Sequence, residues 1–441
     1  MIPSSKVFDQ STIATLLDHD PLIADYRAFF ALLDWSVVAD WEAERSARGR
    51  PAHPESAYLK AFLLRIREGM LYTTQLRRFL LRHPLLIIEL GFRLVLDTSA
   101  PYGFDVQATL PCEFWLREKL RQFDPTLLQA LLQGTVRALQ NEIAGLGETV
   151  AFDVKHIYAW VKENNERAYV PERYDKSKRL AGDPDCRLGV KRSTNKELPD
   201  GSTEEHKELI WGYGTGIAVS THADYGTVVL ADYTQPFNAG DITYFRPLYQ
   251  RTVVALNHFP TNVTADAAYD AWYVYEAAAR HGGIGAVPLN QHRKTPFDRL
   301  PDGTPRCPIG VPMHPTTQFN HTYGYRAQRF QCPLLFPEAT GQSCQHEQFS
   351  KGKGCVKDVN WERGGIQRVT LDRTSEQFQS LYNQRTGCER INARAKELGI
   401  ERPRVRNGRS VANLNTLIYV IVNVRVLVKA KSINHRLLQM N

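Results

Sequence analysis

Glu148-Thr149-Val150-Ala151-Phe152-Asp153-Val154-Lys155-His156 is the stretch where the chain changes period. Upstream, apolar residues recur at helical spacing. From Thr149 they alternate, with Val150, Phe152 and Val154 on one side of an extended chain and Asp153 on the other. Further strand signals follow at Trp211–Thr221 and Thr227–Tyr233, joined through Asp224-Tyr225-Gly226 as a hairpin. Next come an amphipathic stretch over 240–256, a strand at Asn262–Ala265 ending at Asp266, a helix over Asp270–His281 and a strand near Ile284–Leu289. The order β, hairpin, α, β, α, β predicts an α/β core over 148–289. The polar run 162–207 reads as an exposed insertion inside it.

Outward from that core, residues 1–147 read as a helical N-terminal domain. Pro54 opens a helix through Tyr58, Phe62 and Ile66, and a second runs from Thr73 to a stop before Pro84. Asp124-Pro125 is an N-cap with proline behind it, leading into Leu127–Ile143 and ending at Gly145 and Gly147. Residues 290–372, rich in Pro, Gly and Cys, read as an insertion. Residues 373–441 close the core with one helix over Ser375–Leu398 and a last one over 411–431, capped by Ser410.

Composition is that of an ordinary globular protein, 43% hydrophobic and 23% charged, which excludes a disordered polymer, a collagen-like fibre and a bare coiled coil. There are 55 Lys and Arg against 47 Asp and Glu, a net +8. Residues 380–441 alone carry 12 basic and 3 acidic groups, so the excess sits in the last seventh of the chain and favours an anionic partner. A second basic segment, 48–82, has 8 basic and 2 acidic residues. Its two short helices either enter or flank a DNA groove, or present a solvated basic face of a helical bundle to water. No basic start followed by an apolar run opens the sequence, and the apolar run Leu417–Val428 is short and interrupted by Asn423 and Arg425. Seven cysteines without an export signal point to a reducing cytoplasm rather than a disulfide framework.

Three carboxylates carry the chemistry. Asp153 sits in an apolar strand, where a charge is costly unless paired or metal-bound. Asp266 stands where a strand ends, a common functional position in open α/β sheets. Glu389 lies in Tyr382-Asn383-Gln384-Arg385-Thr386-Gly387-Cys388-Glu389, followed by Lys396. On one continuous helix Tyr382, Arg385, Glu389 and Lys396 would fall within about 60° of one another. Each signal alone has a plain structural reading, a hydrogen-bonding Asp or a solvated face with i,i+4 pairs.

In this order and spacing, the chain resembles the DDE transposases of bacterial insertion sequences, in the cut-and-paste group with a Tyr-(2)-Arg-(3)-Glu-(6)-Lys signature. Tyr382, Arg385, Glu389 and Lys396 match it without a gap. Thr264-Ala265-Asp266-Ala267-Ala268-Tyr269-Asp270 is similar to the second motif, with Ala268 where a glycine is common. Arg50-Pro51-Ala52-His53-Pro54-Glu55 through Leu81 looks like the helical N-terminal domain of such proteins. The resemblance covers about 20–110, 148–290 and 375–430. It implies an RNase H-like catalytic core with a helical N-terminal DNA-binding domain and an insertion before the last catalytic helix.

The same resemblance implies Asp153, Asp266 and Glu389 as catalytic ligands of two Mg²⁺ (or Mn²⁺) ions. Tyr382, Arg385 and Lys396 would hold DNA. The partners would be double-stranded DNA, as terminal inverted repeats and target, and a second copy of the chain in the synapse, with no membrane and a bacterial cytoplasmic, nucleoid-associated location. Two-metal phosphodiester chemistry agrees with such a donor set. A catalytically silent DNA-binding descendant and an Mg-dependent nuclease of the same fold are the alternatives. Cys307, Cys332, Cys344 and Cys355, with His346 nearby, lack a C-x₂-C knuckle and are either a zinc site or free buried thiols.

Overall fold

A computed structural model of the chain describes residues 9–43, 52–197, 203–290 and 298–439. Arg50 and Pro51 of the N-terminal motif lie outside them. The chain divides into two compact units. One gathers residues 1–146, 154–257 and 387–441, the other 147–153 and 258–386.

The first unit opens with helices α1 (Gln10–His19), α2 (Pro21–Phe30), α3 (Ser36–Ala43), α4 (Glu55–Arg67), α5 (Thr73–Arg82), α6 (Pro84–Leu90), a single turn α7 (Val106–Thr109), α8 (Glu113–Gln122) and α9 (Pro125–Gln140). The cap read at Asp124 is in place: its side chain accepts from Thr126 N at 2.8 Å and starts α9. In α4, nine of thirteen residues are buried, Arg65 among them. It is a core helix of the first unit.

Strand β1 (Thr149–Tyr158) passes from the second unit into the first. There Ala159 N, just past its end, donates to Trp211 O at 3.0 Å. β2 (Arg187–Glu197), β3 (Thr203–His222) and β4 (Gly226–Pro236) form an antiparallel meander, with Val190 opposite Leu209 and Ala218 opposite Ala231. The expected hairpin is therefore present, but the expected insertion 162–207 is corrected: most of its second half is β2 and the start of β3. Helix α10 (Ile242–Leu256) follows.

The second unit holds a parallel ladder. The start of β1 pairs with β5 (Asn262–Thr264), and β5 with β6 (Gly285–Ala286). Helix α11 (Trp272–Ala279) connects them. The segment expected as an insertion carries an antiparallel sheet, β7 (His314–Asn320), β8 (Arg326–Gln331) and β9 (Val356–Asn360), around a small core of Cys307, Met313, Phe330, Cys355 and Val359. A turn α12 (Glu347–Ser350) lies within it. Helix α13 (Arg363–Thr370) then packs on α11, so closely that a Cβ on Gly364 would stand 2.2 Å from Glu276 N.

The continuous helix expected over 375–398 is two: α14 (Glu376–Asn383) and α15 (Thr386–Glu397). Gln384 N bonds to Leu381 O and Arg385 N to Tyr382 O, a tightened turn that ends α14. The last helix, α16 (Gly408–Gln439), runs through the first unit with Leu417–Val422, Val424, Val426 and Leu427 buried. Each large apolar side chain there contributes about 1.5–3 kcal/mol. It is long and apolar enough to cross a membrane, yet most of that apolar run lies inside the structure. Asn407, rather than Ser410, caps it, accepting from Ser410 N at 2.9 Å. Asn423, the polar break in the run, accepts from Val229 N at 2.9 Å and donates to Val229 O at 2.7 Å. It takes the place of a neighbouring strand beside β4 at the register shift.

Candidate active site

Asp153 and Asp266 belong to the same unit. The register pairs Ala151 with Thr264, and each aspartate lies two residues further along its own extended chain. Asp153 is still within β1, whereas Asp266 stands past the last paired residue of β5. Both are half-buried. Asp266 Oδ1 accepts from Ala268 N at 2.9 Å, which fixes the side chain at the start of a single 3₁₀ turn over Ala267–Tyr269.

Asp270, the last residue of the second motif, has a separate part. It is buried at 1% exposure and takes a two-pronged bond from Arg368 of α13, Nε to Oδ1 and Nη2 to Oδ2, both 2.7 Å. Tyr275 Oη donates to Oδ1 at 3.1 Å and Asn290 N to Oδ2 at 3.0 Å. Burial pushes this carboxyl up, but the bonds from Arg368 and Asn290 outweigh it and hold the pKa below the ordinary value. Asp270 thus locks the loop behind Asp266 to α13. Sequence reading passed over it, because its partner lies 98 residues away.

Tyr382 and Arg385 stay with the second unit. Tyr382, on α14, stacks on Phe378 with centroids 5.8 Å apart, and the Arg385 guanidinium sits 5.8 Å from the Tyr382 ring. The single helix expected to carry all four is interrupted at Gln384–Arg385, so Tyr382 lies on α14 and Glu389 and Lys396 on α15. Glu389 and Lys396 share one face. Seven residues apart on α15 they differ by only about 20° around the axis, and both are exposed. Lys396 Nζ lies 3.3 Å from Glu401, which also meets Lys155 at 3.5 Å. Burial raises the Glu401 carboxyl, but the two lysines more than reverse it and leave the pKa low. Gly387 sets where α15 begins. A Cβ there would lie 2.2 Å from Thr221 Oγ1, so only glycine lets this helix end approach β3.

The four insertion cysteines come near one another. Cys307, Cys332 and Cys355 are buried, Cys355 Sγ is 3.6 Å from His346 Nδ1, and His346 N reaches Cys344 Sγ at 3.4 Å. Burial, with the neighbouring cysteines, pushes the Cys355 thiol up. Among the described residues, no three His, Cys, Asp or Glu side chains are gathered closely enough to hold a metal ion. The donor chemistry of the aspartate pair, hard oxygens, fits Mg²⁺ or Mn²⁺ rather than a soft metal.

These features define an α/β chain with one carboxylate within β1 and another just past the end of β5. Residues 193–424, just over half the chain, match the family of the Transposase DDE domain, and the chain belongs to that family. It is a DDE-type transposase, and its mixed α/β architecture with a helical N-terminal region accords with an RNase H-like core. The matched span includes Asp266 and Glu389 and begins after Asp153. Among solved structures, the chain is similar to a piggyBac transposase in a cryo-EM synaptic complex with hairpin DNA. Identity is 10% and the TM-score 0.28, covering 96% of this chain and 77% of that one. No curated protein matches the chain.

Proposed function

We propose that this transposase binds the ends of its own insertion sequence as a homodimer and cuts and joins DNA there with two Mg²⁺ or Mn²⁺ ions held by Asp153, Asp266 and Glu389. What supports the reading is Asp153 within β1 and Asp266 just past the end of β5, the parallel neighbour of β1, in a chain of the DDE family. When bound, such ions lower the pKa of an attacking water or 3′-hydroxyl and neutralise the leaving oxygen. The carboxylates supply hard oxygen ligands, and Asp266 is preset by its bond from Ala268 N. Arg385, backed by the Tyr382 ring, forks across a backbone phosphate, and Lys396 adds a point charge two turns beyond Glu389. The working location is a reducing bacterial cytoplasm.

Purified chain and a labelled duplex carrying the DNA that flanks its reading frame test this. The expected result is binding whose log affinity falls steeply with log salt, at about 0.9 per phosphate neutralised, and cleavage at the element boundary only with a divalent ion. Binding with no cleavage in Mg²⁺ or Mn²⁺ identifies a silent descendant instead. Cleavage without preference for the element ends identifies a nuclease.

A further inference from the structure

A cavity of about 430 Å³ lies wholly within the first unit, walled by α4, α5, α8, the turn after β1 and the segment that enters α16. Five arginines line it, Arg65, Arg117, Arg121, Arg404 and Arg406, against two glutamates. One of those, Glu118, is already engaged by Arg121 at 2.5 Å, leaving Glu113 as the other acidic wall group.

Arg65 makes the cavity unusual. Its side chain is 3% exposed, with Nε donating to Met70 O at 3.1 Å and Nη2 to Leu71 O at 2.6 Å. Among the described residues Nη1 is buried with no hydrogen-bond partner, and burial alone acts on the guanidinium's charge. Burial without a counter-charge pulls its pKa down to about 10. An uncompensated buried cation costs several kcal/mol and persists where something supplies the missing anion. Helix ends add to the same field. Thr73 and Thr74 open α5, and Asn407 and Ser410 form the first turn of α16, so two helix N-termini face the cavity.

The rim is aromatic. Trp160 is 37% exposed, Arg406 lies 5.0 Å and Arg404 5.9 Å from its ring, and Tyr72 meets it edge-on at 6.2 Å. We propose that this cavity is a DNA docking site in which one backbone phosphate takes Arg404 above the buried, uncompensated charge of Arg65, while Trp160 and Tyr72 lie against the neighbouring sugar and base. The proposal rests on the DNA-binding reading above. A bare phosphate would leave most of 430 Å³ empty and the aromatic rim without a partner.

Fluorescence anisotropy of a labelled end duplex across a salt series, on the full chain, decides the matter. Arg404→Gln is expected to lower the slope of log affinity against log salt by about one, and Trp160→Ala to weaken binding by roughly fivefold or more with little change in slope. Arg65→Met is expected to match Arg404→Gln. Should it fail to fold, the other two variants still decide. Arg329→Gln, in the other unit and paired with Asp358, serves as the control and keeps wild-type binding. Wild-type slope and affinity in both Arg404→Gln and Trp160→Ala overturn the docking site while leaving DNA binding intact. A wild-type chain that does not bind duplex removes the DNA-binding reading and this site with it. A third outcome also refutes the DNA assignment: inorganic phosphate raises the melting temperature of the wild type but not of Arg404→Gln, while duplex binding is equal in both.

Discussion

Arg368→Met removes the partner of a buried carboxylate and keeps most of the side-chain volume. Asp270 is then left at 1% exposure with bonds only from Tyr275 and Asn290 N. Breaking such a pair on one side costs about 3–5 kcal/mol. The cost is local to α11, α13 and the loop after Asp266, so hydrogen exchange is the assay: amides of α11 and α13 should exchange roughly 150-fold faster or more than in wild type.

The pH dependence has a definite sign. In the wild type the folded Asp270 pKa is depressed, so its stabilisation is present above the unfolded value and lost as pH falls through the folded one. In Arg368→Met burial dominates and raises the folded pKa, so the variant's deficit is full at neutral pH and shrinks on acidification. Asp270→Asn combined with Arg368→Met should recover part of the loss, since no charge is stranded. A change under about fivefold at neutral pH, or a deficit that widens in acid, refutes the reasoning.

Two further outcomes follow from the first unit. Asp232 is fully buried, bonded by Gln129 at 2.7 Å and Thr416 at 2.9 Å, and burial raises its pKa, so its contribution is lost as pH rises through the folded value. Asp232→Asn should therefore stabilise the fold at high pH, by on the order of 1–2 kcal/mol, with the advantage shrinking on acidification; differential scanning fluorimetry across pH checks it as a shift in melting temperature. Gly387→Ala forces a methyl against Thr221 Oγ1, should cost about 1–3 kcal/mol in thermal unfolding, and should reduce cleavage more than end binding because it displaces the start of the helix that carries Glu389.

Much of the framework was legible because its signals are local. Asp124-Pro125 marks the start of α9 by cap chemistry, and the hairpin of β3 and β4 is marked by β-branched runs around Tyr225-Gly226. The outer half of β2 and β3 was not, because residues 191–208 are mostly Lys, Arg, Glu, Ser and Thr, and a two-stranded ribbon needs no apolar face to produce a period of two. The break between α14 and α15 was invisible for a different reason. Gln384 and Arg385 are good helix formers, so nothing local in the sequence marks the break.

Asp153 and Asp266 were legible as a strand residue and a strand-end residue, yet the parallel pairing of β1 with β5 joins segments 113 residues apart. Arg65 was counted among surface charges. Its burial comes from α4 packing in the core, which a charge count cannot see.

Single-turnover cleavage of a preassembled end complex in Mg²⁺ tests the central claim most directly, using Asp153→Asn, Asp266→Asn and Glu389→Gln at saturating protein. Each variant is predicted to bind the end with the wild-type salt slope and to lose cleavage by 10³-fold or more, about 4 kcal/mol of transition-state stabilisation. Cleavage within about tenfold of wild type by any one of them contradicts its place in the site. Cleavage retained by all three contradicts the three-carboxylate mechanism itself.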